Sequence, residues 1–240
     1  MEFKVVIPAH YASTRLPGKV LLEVRGRPII EYVYENACNS GAGQVVVATD
    51  DRRIADAARM FGAEVCLTSN QHVSGTDRIA EVTQKYAWSD DTVIVNLQGD
   101  EPMMPGKNIH QVAANLYHHP AVSIATLCAV LDSGHEIQNT NIVKVIYDEH
   151  HIAIGFTRDV QTFDPSCSHT VYRHLGIYAY RAGYLRKFTQ WPRSRLEKQE
   201  SLEQMRAFEH GDLIHVELCK SVPGIGVDTQ EDYETLLDLM

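Results

Sequence analysis

Three short stretches combine residue types that can act on a polyphosphate. The first, Pro8-Ala9-His10-Tyr11-Ala12-Ser13-Thr14-Arg15-Leu16-Pro17-Gly18-Lys19, follows an apolar, β-branched run at Phe3 to Ile7. In an open parallel sheet, ligands bind at the carboxyl ends of the strands. A loop there, with small residues, Gly18 and the cations Arg15 and Lys19, can surround phosphate oxygens with backbone N–H groups and positive charge. It fits neither Gly-x-Gly-x-x-Gly nor Gly-x-x-x-x-Gly-Lys-Ser/Thr, which argues against a nicotinamide dehydrogenase and a P-loop ATPase. An ordinary surface loop with two solvated cations would carry the same residues. The second stretch is Gln98-Gly99-Asp100-Glu101-Pro102, directly after the apolar run Val93 to Leu97. A carboxylate at a strand's carboxyl end suits Mg²⁺, which takes one or two carboxylates plus phosphate oxygens. Gln98 has both a donor and an acceptor, so it can read a pyrimidine edge. The third stretch, Gly224-Ile225-Gly226-Val227-Asp228-Thr229, again sets a carboxylate beside a helix cap. A polar turn and a plain helix start are the simpler readings of the last two.

The elements that must hold these residues alternate in the first half of the chain. Apolar runs at Val45 to Ala48, Val65 to Leu67 and Val93 to Leu97 predict strands. Between them, Pro28 at the first helical position opens a helix that stops near Gly41. Asp50 or Asp51 caps a second ended by Gly62, Ser74 to Tyr86 forms a third, and Pro105 starts a fourth. Such alternation predicts an α/β, doubly wound, mostly parallel sheet. From about Val122 the pattern changes. Val122 to Val130, Leu175 to Tyr180 and Leu213 to Leu218 read as strands, Ile142 to Tyr147 and Ile152 to Phe156 as a hairpin, and Ser194 to His210 as one helix. Thr229 caps the last helix. The expectation is one domain over residues 1–240 with a small α+β lobe inserted at about 122–212.

Composition narrows the classes. With 44% hydrophobic and 22% charged residues over 240 positions, the chain is an ordinary soluble globular protein, not a disulfide scaffold or a disordered tail. A net charge of -9 repels nucleic acid and anionic lipid, so an anionic ligand must be met by a local cluster of donors. Five scattered cysteines without a Cys-x-x-Cys pair point to a reduced, cytoplasmic setting and away from a thiolate zinc site. The apolar run after Met1 is too short for a signal peptide, and Val122 to Leu131 is half a membrane span. His118/His119 and His150/His151 read as solvated turn histidines rather than metal ligands.

Taken together, the motifs resemble those of the 3-deoxy-manno-octulosonate cytidylyltransferase (CMP-Kdo synthetase) family. The blocks are Ile7 to Lys19, Ser74-Gly75-Thr76-Asp77-Arg78, Gln98 to Pro102, Arg173-His174-Leu175-Gly176-Ile177-Tyr178, Leu202-Glu203-Gln204-Met205-Arg206 and Gly226-Val227-Asp228-Thr229, in family order over nearly the whole chain. The resemblance implies a Rossmann-like nucleotidyltransferase that converts CTP and the sugar acid to a CMP-sugar and diphosphate, for lipopolysaccharide. It implies Arg15, Lys19, Asp100 and Asp228 as catalytic residues, the two aspartates holding Mg²⁺. By the same resemblance Pro8, Ala9, His10, Ser13, Arg15, Lys19, Ser74, Gly75, Arg78 and Gln98 line the nucleotide site. Arg158, His174, Tyr178, Glu203 and Gln204 line the sugar site, and the protein is a homodimer joined through the middle lobe. Plainer readings stand beside these: Arg158 as a solvated loop residue, Tyr178 as a core residue, and Glu197, Glu200 and Glu203 as a hydrated acidic stripe.

Departures from the family pattern bear on the substrate. His10 stands where the family has Arg, removing a fixed charge from the phosphate loop. Arg195 replaces a usual Pro. The stretch Asp159 to Pro165 is short and lacks a further Arg that helps hold the sugar acid, leaving His169 and Arg173 as candidate replacements. A related acid, such as 8-amino-Kdo or a nonulosonic acid, and a catalytically weak nucleotide-binding relative are the competing readings.

Overall fold

The computed structural model describes residues 1–131, 134–163 and 169–240. The first part of the chain forms β1 (Phe3–Ala9), β2 (Glu23–Val24), β3 (Arg27–Pro28), α1 (Ile29–Cys38), β4 (Gln44–Thr49), α2 (Arg52–Met60), β5 (Glu64–Leu67), α3 (Gly75–Lys85), β6 (Val93–Asn96) and α4 (Gly106–His118). Next come β7 (Ile124–Ala129), α5 (Gly134–Gln138), β8 (Lys144–Tyr147), β9 (Ala153–Thr157), β10 (Tyr172–Arg181), α6 (Ala182–Phe188), α7 (Arg195–Glu200), α8 (Gln204–Glu209), β11 (Ile214–Leu218) and α9 (Gln230–Leu239). The central sheet has the order β11-β7-β10-β6-β1-β4-β5. Pairs β6–β1, β1–β4, β4–β5 and β11–β7 are parallel, and β10 runs antiparallel to both β6 and β7. The expected doubly wound, mostly parallel sheet is therefore present, with one reversed strand at its middle.

The β-branched strands are covered on both faces: Val5, Val6, Ile7, Val46 and Val47 are fully buried. Asp51 accepts from Arg53 N at 2.8 Å to start α2, and Ser74 accepts from Asp77 N at 3.1 Å to start α3. Thr229 and Asp232 form a capping box on α9. Pro28 caps α1 from outside rather than opening its first turn, because it also closes the β2–β3 ladder and stays extended. The expected single helix over 194–210 is two. The chain turns left-handed at Ser201, which lets Leu202 and Met205 reach the core while Arg206 forks onto Glu197 at 2.7 and 2.8 Å. Helix α6 carries no side-chain cap and contains Gly183, so its sequence gives no start signal.

The 122–212 stretch supplies β7 and β10 of the sheet, and β8 and β9 pair as the expected hairpin. Among the described residues, Cys38, Cys66, Cys128 and Cys219 are free thiols, while Cys167 lies outside the described residues. No helix among the described residues is long and apolar enough to cross a membrane.

At the β11 edge, buried His215 stacks on His119 at 4.1 Å and lies 5.8 Å from His151, ring centre to ring centre. Burial, then the neighbouring His119, pushes the His215 imidazole down to about 4 from its usual 6.5. The unfolded chain therefore binds a proton that the folded chain refuses between those values, so folding stability falls as the pH drops through that window. The slope is at most about 1.4 kcal/mol per pH unit for this one group. In urea unfolding followed from about pH 7 to about pH 4.5, His215→Phe, which keeps a stacking ring, loses stability less steeply than the wild type. Equal slopes would show that His215 does not take part.

Candidate functional site

The reversal of β10 positions the site. Tyr178 pairs with Asn96, the last residue of β6, so the beginning of β10 lies over the carboxyl ends of β6 and β1. The same edge receives the loop after β1, the turn after β6 and the segment before α9. A cavity of about 720 Å³ opens there, lined among others by Arg15, Asp100, Glu101, Asn139, Asn141, Arg173, His174, Tyr178, Leu202 and Asp228. That size suits a small-molecule ligand.

At the cavity mouth the four residues expected to be catalytic meet. Lys19 Nζ lies 2.7 Å from Asp228 Oδ1 and is paired with Asp100 Oδ2, and Arg15 lies 2.8 Å from Asp228 Oδ2. Lys19 is buried, so desolvation works against its charge, yet the two aspartates overcome this and hold its ammonium above the usual range. Burial opposes the Asp228 carboxylate too, but Lys19 and then Arg15 draw its pKa below the ordinary carboxylate value. Glu101 stands beside them: burial first, then the negative charge of Asp100 and Asp228, pushes it up to about 8.

Local structure makes this meeting possible. Lys19 begins a short 3-10 turn whose next residue, Val20, is anchored in the core. Gly18 enters that turn at φ 71, where its N–H donates to Tyr11 O at 2.8 Å, and a Cβ there would stand 2.8 Å from the Tyr11 ring. Arg53 lies over that ring, 3.3 Å from its centre. Asp228 is tied in by Val227 N donating to Asp100 O at 2.9 Å, and a Cβ on Gly226 would come within 2.7 Å of Glu101.

The nucleotide-side residues surround the end of β1. Pro8 and Ala9 are buried, while His10 is exposed. Ser13 N donates to Tyr11 O at 2.9 Å, inside the loop. Gly75, at the start of α3, faces the Pro8 ring and Gln98. Gln98 Nε2 donates to Asn96 Oδ1 at 3.1 Å, which turns Gln98 Oε1 toward Gly75. Ser74 is committed to capping α3. Arg78 is buried against Asp50 at 3.0 Å and bonds Thr68, so it braces the end of β4 and the loop after β5.

On the sugar side, Tyr178 Oη donates to Gln204 Oε1 at 3.2 Å and Thr76 bonds Glu203 Oε2. Glu203 Oε1 and Gln204 Nε2 are buried without a hydrogen-bond partner, Glu203 Oε1 lying 3.6 Å from the Arg206 guanidinium, and they sit behind Leu202 and Tyr178 of the cavity lining. Glu203 is no hydrated stripe residue: burial raises its pKa, against the pull of Thr76 and Ser74. His174 is buried, and that burial pushes its imidazole down to about 3. Arg158 is not brought to the cavity. Its guanidinium donates to Glu200 O at 3.3 Å and to Thr140 O and Asn141 O at 3.2 Å, behind the wall that Asn139 and Asn141 form. Buried Lys144 braces the same wall through Asn139 O and Arg158 O. The cations that do line the cavity are Arg15 and Arg173. Of the short segment after Arg158, residues 164–168 lie outside the described residues. Asn96 was not among the expected site residues. Its signal is a polar residue inside the apolar run Val93 to Leu97.

Among the described residues no group of three or more His, Cys, Asp and Glu side chains is placed to hold a metal ion. Two carboxylates meeting at the loop after β1 nonetheless match the donor set of Mg²⁺, which completes its shell with water and phosphate.

Cations and paired carboxylates facing a roomy cavity are what transfer of a nucleotidyl group requires, and the backbone follows that architecture. A nucleotidyl transferase from Methanothermobacter thermautotroptrophicus superposes with a TM-score of 0.64 at 16% identity, over 99% of this chain and 96% of the other. The protein is of the nucleotidyltransferase fold. The sequence is more specific, since a profile described as cytidylyltransferase matches residues 4–217. Relatives called 3-deoxy-manno-octulosonate cytidylyltransferase are 47% identical in Vibrio vulnificus (100% of this chain, 98% of the relative) and 46% identical in Haemophilus influenzae (98% and 96%). A solved CMP:2-keto-3-deoxy-manno-octonic acid synthetase complexed with CTP has a TM-score of 0.90 at 38% identity, covering 99% of this chain and 97% of its own. The chain belongs to the 3-deoxy-manno-octulosonate cytidylyltransferase family.

If Asp100 and Asp228 act on CTP as the family resemblance implies, removing either carboxylate that flanks Lys19 takes away charge preorganised for the reaction. Asp100→Asn and Asp228→Asn each lower the rate of diphosphate release from CTP by about 100-fold or more. A variant with wild-type turnover at saturating Mg²⁺ would remove that residue from the catalytic set.

Proposed function

We propose that the protein is a Mg²⁺-dependent enzyme that joins CTP to 3-deoxy-manno-octulosonate, yielding CMP-Kdo and diphosphate. The observation that carries this reading is the convergence of Lys19, Arg15, Asp100 and Asp228 beside a cavity whose lining includes Arg173, His174 and Tyr178. In this reading CTP lies over the end of β1 with its base between Pro8, Gly75 and Gln98. An acceptor at Gln98 Oε1 suits the 4-amino group of cytosine and is mismatched to the carbonyl of uracil. Arg15 and Lys19 neutralise the phosphates. The anomeric hydroxyl of the sugar acid attacks the α-phosphorus in line with the departing diphosphate, and Lys19 offsets charge that grows during transfer. Mg²⁺, held by Asp100 and Asp228, would supply further neutralisation of the phosphate oxygens.

The acid is read by Tyr178, Glu203 and Gln204 at its hydroxyls and by Arg173 at its carboxylate. Arg173 replaces Arg158 in that role because it lines the cavity, whereas Arg158 stands outside the lining with its Nε and Nη1 bonded to backbone carbonyls. The 122–212 stretch, within a single 1–240 domain, serves as sugar-binding and dimerisation lobe. Exposed Val130 and Ile154 within it, and Leu218 and Val222 beside it, support an apolar contact between two copies. A cytoplasmic enzyme making an activated sugar for lipopolysaccharide is the setting in which such a product is used.

A second reading is favoured by the short segment after Arg158: the substrate is an analogue altered at its distal end, such as 8-amino-Kdo. Comparing kcat/KM for Kdo and the 8-amino acid decides. A preference for Kdo of about 10-fold or more, about 1.4 kcal/mol, excludes the altered substrate, and the reverse preference establishes it. Arg173→Ala raises KM for the sugar acid by about 10-fold or more and leaves KM for CTP nearly unchanged, whereas Arg158→Ala affects the sugar less. A larger sugar effect from Arg158→Ala would return the carboxylate to Arg158.

A further inference from the structure

Strand β10 carries an irregularity where it passes β7. Leu175 pairs with Leu127, but the next pair is Tyr178 with Thr126, so Gly176 and Ile177 have no partner across the ladder. The backbone freed there is met by one side chain. Thr126, fully buried, places Oγ1 2.7 Å from Ile177 O, 3.2 Å from Leu175 O and 3.0 Å from His174 Nε2.

The proton count in this group has one solution. A hydroxyl has a single proton, and carbonyl oxygens only accept. The proton of Thr126 goes to Ile177 O, because two oxygens 2.7 Å apart repel each other unless a proton lies between them. Thr126 Oγ1 is then an acceptor toward the ring, and His174 Nε2 carries the N–H. Burial keeps the imidazole neutral at physiological pH, so Nδ1 holds a bare lone pair. Nδ1 has no hydrogen-bond partner among the described residues, and His174 is one of the residues that line the cavity.

We propose that Thr126 is a positioning residue that locks His174 as the Nε2–H tautomer, making Nδ1 a fixed acceptor for a hydroxyl or ammonium donor of the sugar acid. The acceptor role rests on the reading of this cavity as the sugar site; the tautomer does not. A neutral acceptor repels a carboxylate, so this corner takes a donor group of the acid and leaves its carboxylate to an arginine. It also takes His174 out of the search for a general acid, because its resting proton sits on the nitrogen that faces protein.

The test uses the full-length protein labelled with ¹⁵N at histidine, His174 being assigned by its loss in His174→Gln. Long-range ¹H–¹⁵N spectra from about pH 5.5 to about pH 8 show the Nε2–H tautomer throughout, with no imidazolium. An Nδ1–H tautomer, or titration within that range, overturns the lock. Adding Kdo to the wild type shifts the Nδ1 resonance. If Kdo is turned over but Nδ1 ignores it at saturation, the acceptor role fails while the reading of the site stands; if Kdo is neither bound nor turned over, that reading fails and the lock alone stands. In kinetics, Thr126→Val raises KM for Kdo by about 10-fold with KM for CTP unchanged, and Thr126→Ser restores both the spectrum and KM. If the Val and Ser variants behave alike, the hydroxyl has no such role.

Discussion

A single buried ammonium, Lys19 Nζ, sits between two carboxylates that reach it from distant parts of the chain. Asp100 comes from the turn after β6, and Asp228 from the segment that leads into the last helix. Without a cation between them the two carboxylates would repel each other at an edge from which much of the water has been removed. With it, three separate segments are pinned to one point, and Arg15 adds a second contact from the solvent side. The remainder of the site is arranged around that point: the tight loop behind Gly18, the bond between Val227 and Asp100, and the close approach of Gly226 to Glu101.

The reversed strand at the centre of the sheet is the second organising feature. In a fully parallel sheet each strand offers its carboxyl end to the ligand edge. Here β10 offers its beginning, so His174 and Tyr178 stand next to the end of β6, while its own end leads away into α6. In the proposed reading the two substrates share one edge, the nucleotide over β1 and β6 and the acid over β10, with the cations at their border. The wall of the acid side is held from behind. Lys144 and Arg158 bind backbone carbonyls of residues 139–141, so charged side chains that would suit an anion are used to shape the cavity.

Much of this was legible in the sequence because strong local signals agree with the global fold. The apolar runs, the Ser74 and Thr229 caps and the glycines after helices place the parallel half of the sheet within a residue or two. The four residues at the cluster stand in motifs of fixed spacing, and the structure brings all four together. Less was legible where tertiary contacts override local pattern. Nothing local to 194–210 announces a break at Ser201, since the break follows from burying Leu202 and pairing Arg206 with Glu197. Arg158 looks like an anion binder in sequence and is a bracket in space. Arg78 likewise spends its charge on Asp50. Asn96 and Thr126 act through partners on other residues, so their roles appear only once the strands are side by side.

The central claim is that Lys19 holds Asp100 and Asp228 together as a pair that a divalent cation can also hold. Thermal unfolding of Lys19→Met with and without Mg²⁺ tests it most directly, apart from any catalytic readout. The account predicts that the variant melts below the wild type in the absence of divalent ions, because two carboxylates are left facing each other. It also predicts that Mg²⁺ raises the melting temperature of the variant by more than it raises that of the wild type. A variant that melts like the wild type and gains nothing extra from Mg²⁺ would contradict it.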